Sequence, residues 1–194
     1  MKKLFLISLL PICCLFMLFL SSCELLETEE EKGVNSAAYG PHPGGADLPD
    51  ELKGSWSTTT ISLANAWNQG QFVKAMGVSG AITLVFKDDN KIERYWYTEN
   101  RPSTYYSIYG ASKETGRVKL GDDGSLTLIW AKGEWEKTTA PSANSTDGHY
   151  EYSQEELTNR TKIYTGYERG TSSRNIPELR LTNESGGISY LEKM

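Results

Sequence analysis

Histidine and cysteine are scarce in this chain. Only His42 and His149 occur in 194 residues, and the three cysteines stand at positions 13, 14 and 23. A zinc site draws on clusters of cysteine and histidine, and a Ser-His or Cys-His nucleophile needs an imidazole beside its hydroxyl or thiol, so both lack parts here. His42 sits among glycines and prolines, and His149 in a stretch rich in Ser, Asn, Asp and Gly, which leaves neither in a catalytic setting. Clusters of basic residues are missing too. With 20 Lys and Arg against 25 Asp and Glu the chain carries a net charge of −5, and nucleic acid, whose affinity comes largely from cations neutralising phosphates, is excluded as a partner. Long apolar runs are absent except for one, at residues 4–20, which is hydrophobic apart from Ser8 and is interrupted by Pro11.

That run follows Met1-Lys2-Lys3 and ends at Leu20-Ser21-Ser22-Cys23. A positive n-region, an apolar h-region and small residues at its end read as a signal peptide over residues 1–22. The competing reading, a membrane-spanning helix, needs about 20 apolar residues with charged flanks on both sides. Leu20-Ser21-Ser22-Cys23 resembles the lipobox of bacterial lipoproteins. The resemblance implies that Cys23 is the lipidated first residue of the mature protein. Cys13 and Cys14 would leave with the leader, so no disulfide forms within the monomer and stability must come from a core. The two or three acyl chains of such a lipoprotein anchor it firmly to a membrane. The implied location is the bacterial cell envelope, with the outer membrane and its surface as the expected address.

Without Lys2 and Lys3 the net charge becomes −7. Residues 23–47 read as a tether: Glu27, Glu29, Glu30 and Glu31 form an acidic run, followed by Gly33, Gly40, Pro41, Pro43, Gly44 and Gly45. Such a composition buries too little apolar surface to offset its ordering entropy. An acidic run just after the acylated cysteine also resembles a surface-export signal of lipoproteins in some Gram-negative phyla; a solvated spacer explains it equally.

Residues 48–194 make one domain, long enough to bury about two-thirds of the surface its unfolded chain exposes. Residues 81–86 and 91–97 are strand-like runs around Lys87-Asp88-Asp89-Asn90, the pattern of a hairpin. The same grammar recurs at 117–120 and 125–130 around Gly121-Asp122-Asp123-Gly124. Further strands are expected at 54–61, 104–109, 134–138, 162–168, 177–181 and 188–193. Helix is scarce: 63–76, interrupted by Gly70, has room for one short helix, and the pattern Ser153-x-x-Glu156 fits either a capping box that starts a turn or two through Arg160 or a hairpin loop. Many short strands with turns between them predict an all-β antiparallel barrel or sandwich with little helix.

Leu52-Lys53-Gly54-Ser55-Trp56, at the mouth of the first strand, resembles the Gly-x-Trp opening of lipocalins and of the lipocalin-like domains of bacterial lipoproteins. The resemblance implies a barrel of about eight strands whose closed end is plugged by Trp56, with Gly54 letting the chain pass beneath it. The closing residues 179–183 and 186–193 look like the last hairpin of such domains. The chain departs from the family in lacking a Thr-Asp-Tyr-like turn. No arginine is marked out to pack over Trp56, for which Arg174 and Arg180 are the candidates.

A glycosidase needs only two carboxylates, but Glu134 beside Trp135 and Glu93 near Trp96 read as solvent-facing partners of inward aromatics. Asp88-Asp89-Asn90 and Asp122-Asp123-Gly124 lack the spacing of a calcium loop and read as turns. No catalytic residue, metal or cofactor is expected, and the protein is read as non-catalytic. Eleven tyrosines and five tryptophans favour binding instead. Tyr95-Trp96-Tyr97, and Tyr105-Tyr106 with Tyr109, place aromatic rings on both faces of their strands. Three uses follow: a cavity lined by Tyr95, Tyr97 and Trp130 for a small lipophilic ligand; a stacking surface for glycans; or a docking patch for another envelope protein, as an assembly factor, inhibitor or accessory subunit. The plain alternative is that these rings are core.

Overall fold

The computed structural model of the protein describes residues 37–68, 79–140 and 148–194. The leader, Cys23 and the acidic run lie outside the described residues, as does most of the helix expected over 63–76. Among the described residues no helix is long and apolar enough to cross a membrane. The elements are, in order, β1 (Gly54–Ser57), α1 (Leu63–Asn68), β2 (Gly80–Phe86), β3 (Lys91–Ser103), β4 (Tyr106–Leu120), β5 (Leu126–Ala140), β6 (Gly148–Glu151), α2 (Gln154–Asn159), β7 (Lys162–Thr171), β8 (Pro177–Asn183) and β9 (Ile188–Lys193). Their nine strands form one antiparallel sheet in the order β4-β3-β2-β1-β9-β8-β7-β5-β6, and a β4–β5 pairing closes it into a ring. Eight strands make the ring and β6 hangs on the side of β5. The expected barrel is therefore present, and closure gives each of its eight ring strands a neighbour on both sides.

The β2–β3 hairpin forms where the sequence placed it. Asp89 and Asn90 take φ of 58° and 52°, the left-handed pair that a two-residue hairpin loop requires and that Asp and Asn tolerate. Downstream the strands are longer than expected. The runs at 104–109 and 117–120 belong largely to the single strand β4, and those at 125–130 and 134–138 to β5. A bulge carries the pairing of these two strands past their middle. Thr115 pairs with Lys132 and Gly116 with Trp130, leaving Ala131 as the extra residue. A Cβ on Gly116 would lie 2.0 Å from the Ile129 carbonyl oxygen, so no other residue fits at this crossing.

Strand alternation sorts the apolar residues into two separate clusters. One fills the ring and draws on nearly every strand: Trp56, Leu84, Phe86, Ile92, Val118, Leu126, Leu128, Trp130, Leu179, Leu181 and Leu191. Each such leucine contributes about 1.5–3 kcal/mol by leaving water. The second lies on the outer wall, where Leu63 and Ala66 of α1 cover Ala81, Tyr95, Tyr97, Tyr109 and Ala111.

Trp56 is fully buried, and its indole Nε1 donates to the Leu52 carbonyl at 2.7 Å. The Lys193 ammonium lies 4.4 Å from the ring centre and the Arg169 guanidinium 4.7 Å from it. Arg169 also donates to the Glu51 carbonyl. The arginine over Trp56 is thus Arg169, beside Lys193, in place of Arg174 or Arg180. Arg169 pairs directly with the buried Leu179 and shares its inward face, whereas Arg180 is the next residue along β8 and turns outward to Glu178, and Arg174 pairs with Glu192. Gly54 has φ of 107°, and a Cβ there would meet the Lys193 ammonium at 2.8 Å, so this position needs glycine on both counts.

The described end of the expected tether is bound to the barrel. Residues Ala38–Met194 form one compact unit, so the domain begins ten residues before position 48. Tyr39 and Leu48 are buried, the Asn90 side chain accepts from the Leu48 amide at 2.8 Å and donates to the Ala46 carbonyl at 2.9 Å, and Thr115 and Arg117 donate to the carbonyls of Ala38 and Gly40. Composition marked this segment as solvated, but its backbone polar groups find partners on β4 and on the β2–β3 turn, which offsets the cost of ordering it.

Candidate functional site

Along the inner wall the side chains change from hydrocarbon to charge. Inward positions run Phe86, Leu84, Ile82 on β2 and Ile92, Arg94, Trp96 on β3, and β4 passes from Val118 through the bulge to Glu114 and Ser112. Past the leucine core a cavity of about 370 Å³ opens, lined by Ile82, Arg94, Trp96, Ser112, Arg160 and Lys162 with Asn159 at its rim.

Glu114 organises this mouth. Its side chain is fully buried, and it accepts from Arg94 Nε at 3.0 Å and Nη2 at 2.9 Å, the forked pairing that suits a guanidinium to a carboxylate. Arg160 Nη1 reaches the same carboxylate at 3.2 Å. Each guanidinium also lies on an aromatic face: Arg94 is 4.6 Å from the Trp130 ring centre and Arg160 is 3.9 Å from that of Tyr152. Burial pushes the Tyr152 hydroxyl up to about 12, with Arg160 working in the opposite direction. That hydroxyl stands beside Ser112 yet completes no hydrogen bond of ordinary geometry.

Arg160 is placed by local sequence. Ser153 caps α2 by accepting from the Glu156 amide at 3.3 Å, while Glu156 accepts from the Ser153 amide at 2.8 Å, the reciprocal capping box that the sequence predicted. Arg160 is the C-cap residue of this helix, and its carbonyl accepts from Trp130 Nε1 at 2.9 Å. The short helix therefore fixes a cation over the mouth.

The three aromatic residues expected to line one cavity are not brought together. Trp130 is inward, at the floor of the mouth under Arg94. Tyr95 and Tyr97 point the other way and are packed beneath α1 in the outer cluster. The physical reason is the two-residue period of β3: once Ile92 and Arg94 face inward, the odd-numbered tyrosines face out. Trp96, between them, is the ring that faces the cavity. Arg94, Glu114, Arg160 and Lys162 carried no motif, and the one signal for Arg160 was its place at the end of the capping-box helix.

On the outer wall Glu93 joins three groups. It accepts from Tyr39 Oη at 2.5 Å, Lys87 Nζ at 2.6 Å and Tyr95 Oη at 3.0 Å. Burial alone would raise the Glu93 carboxyl, but Lys87, Tyr39 and Tyr95 outweigh it and hold the group below its ordinary value. Tyr95 is pushed far up by burial and by the Glu93 charge. A second hollow of about 400 Å³ lies outside the barrel between Ala38, Lys113, Lys132, Glu134 and Glu151, where two cations face two carboxylates. Glu134 and Glu151 are directly opposed across β5 and β6, and His149 lies 3.9 Å from Glu134 and 3.7 Å from Glu136. Among the described residues no group of His, Cys, Asp and Glu is arranged to hold a metal ion.

Compared with known protein families, with curated proteins and with solved structures, the chain gives no match.

Proposed function

We propose that this chain is a membrane-anchored, non-catalytic lipoprotein of the bacterial envelope whose lipocalin-like barrel holds a small lipophilic ligand at its mouth. The anchor reading rests on Leu20-Ser21-Ser22-Cys23, and the outer membrane is the address that this reading favours. The lipocalin-like reading draws support from a ring of eight strands and from Gly54-x-Trp56 at its closed end beneath Arg169. The observation that carries the ligand reading is the division of the interior: leucines fill one part, and beyond them a cavity of about 370 Å³ is bounded by Trp96, Ile82 and oriented polar groups. Non-catalytic action follows from a sequence without a paired nucleophile and base.

Native mass spectrometry of the purified protein, with intrinsic fluorescence during ligand titration, tests the site. A retained small molecule, or a change in the emission of Trp96 and Trp130, is the expected result; no adduct and unchanged emission across a ligand series would reject it. The anchor is tested separately. Cys23→Ala should move the protein out of the membrane fraction and abolish lipid labelling, and unchanged partitioning would refute it.

A second reading, a docking module for another envelope protein or a glycan-binding surface, is favoured by the tip of the β3–β4 hairpin. There Tyr105 is 85% exposed and Tyr106 40%. Exposed rings at such a tip suit stacking on sugars or insertion into a partner. Tyr105→Ala with Tyr106→Ala would weaken a glycan-array or membrane pull-down signal and leave ligand titrations unaltered if this reading holds.

A further inference from the structure

The geometry points to a small organic anion, a carboxylate or sulfonate with a short apolar or aromatic body, as the occupant of the barrel mouth. Arg160 and Lys162 would bind its charged group, and Trp96 and Ile82 its body. This deepens the reading of the mouth as a ligand site and rests on it.

The charge count at the mouth does not close. Arg94, Arg160 and Lys162 line the cavity, and the one carboxylate there, Glu114, is already shared between the two guanidiniums. Lys162 makes no ion pair among the described residues. An excess of two positive charges thus faces the cavity in a chain whose net charge is −5, so the sign at the mouth is opposite to that of the molecule. Cations held together in a confined space attract an anion and raise its local concentration.

The donors are also arranged beforehand. Arg94 is locked by its fork to Glu114, and Arg160 by the α2 C-cap, by the Trp130 contact at its carbonyl and by the Tyr152 ring. A single nitrogen of Arg160, Nη1, is engaged with Glu114, which leaves the remaining guanidinium N–H groups for a ligand. Unpartnered donors next to surplus cations fit an acceptor-only group, which a carboxylate or sulfonate is. A cavity of about 370 Å³ limits the attached body to a short chain or a ring.

Calorimetric titration of the purified full chain with octanoate, octanol and octyltrimethylammonium tests the idea. Octanoate should bind at least about tenfold tighter than octanol, with the cationic probe weakest. Lys162→Gln, at an exposed and unpaired position that leaves the fold intact by circular dichroism, should weaken octanoate several-fold and leave octanol unchanged. Arg160→Gln should remove the remaining preference. Equal affinity for octanoate and octanol, or a preference surviving both substitutions, overturns the anion proposal while the ligand site itself stands. Binding of none of the three probes overturns both. Competition between octanoate and vesicles of phosphatidylserine or phosphatidylcholine identifies the source: displacement by phosphatidylserine alone assigns the carboxylate to a lipid headgroup, and its absence assigns a free solute.

Discussion

Three side chains meet at Glu93, and its ionisation ties a distant segment to the barrel. The group's ordinary value is 4.5 and its folded value is lower, because Lys87, Tyr39 and Tyr95 outweigh the burial that would raise it. The unfolded chain therefore takes up the proton first as pH falls. The stabilisation is complete above about pH 5 and is lost as pH drops through the folded value. In urea unfolding followed between about pH 6 and pH 3, Glu93→Gln should be less stable than the parent at the upper end and lose less toward the lower, so that the two curves converge. Trp56 acts through size. Replacing this fully buried indole by alanine should cost about 3–5 kcal/mol in the same assay, since the cavity sits where both chain ends of the ring meet. At this scale the sequence was legible in part. Trp56 and Gly54 stood out through the resemblance of Gly-x-Trp to a known strand opening, but nothing adjacent in sequence marks Arg169 as the arginine above the indole, because the pairing depends on β7 and β1 being brought together across the closed end.

Among the elements, α2 shows a local rule with a distant consequence. Ser153→Ala should cost about 1 kcal/mol by removing the cap. It should also loosen Arg160, read as faster hydrogen exchange at the Arg160 amide, which donates to Glu156 and Leu157. The bulge between β4 and β5 behaves differently, since Gly116→Val places atoms into the backbone of Ile129 and should abolish cooperative unfolding. The β2–β3 hairpin and the capping box were readable because short-range geometry alone dictates them: Asp-Asn turns accept positive φ, and a serine three residues before a glutamate satisfies two amides. The length of β4 and β5 was not, because the bulge at Gly116 that carries their pairing past Thr115 exists only once the neighbouring strand is in place. β6 escaped notice for another reason: Gly148–Glu151 is exposed throughout, so it carries no alternation.

For the molecule as a whole, closure is the decisive property. β9 lies between β8 and β1, pairing Leu191 with Leu179 and Lys193 with Trp56. Truncation before Ile188 would open the ring and wet Trp56, seen as a red shift of its emission together with loss of a single cooperative transition. Closure also assigns the two faces of each strand, and with them the site: Arg94 and Trp96 inside, Tyr95 and Tyr97 beneath α1.

The amino-acid sequence by itself determined that the chain forms antiparallel strands and where its tight turns fall, because those properties depend on side-chain type and on neighbours a few residues away. Only the tertiary structure decided which side of each strand became the interior. A two-residue period divides a strand into two faces without naming the inner one, and for β3, aromatic on both, the choice was made by partners far along the chain. The same long-range pairing gathered Arg94, Glu114, Arg160 and Lys162, unremarkable and separate in sequence, around one cavity.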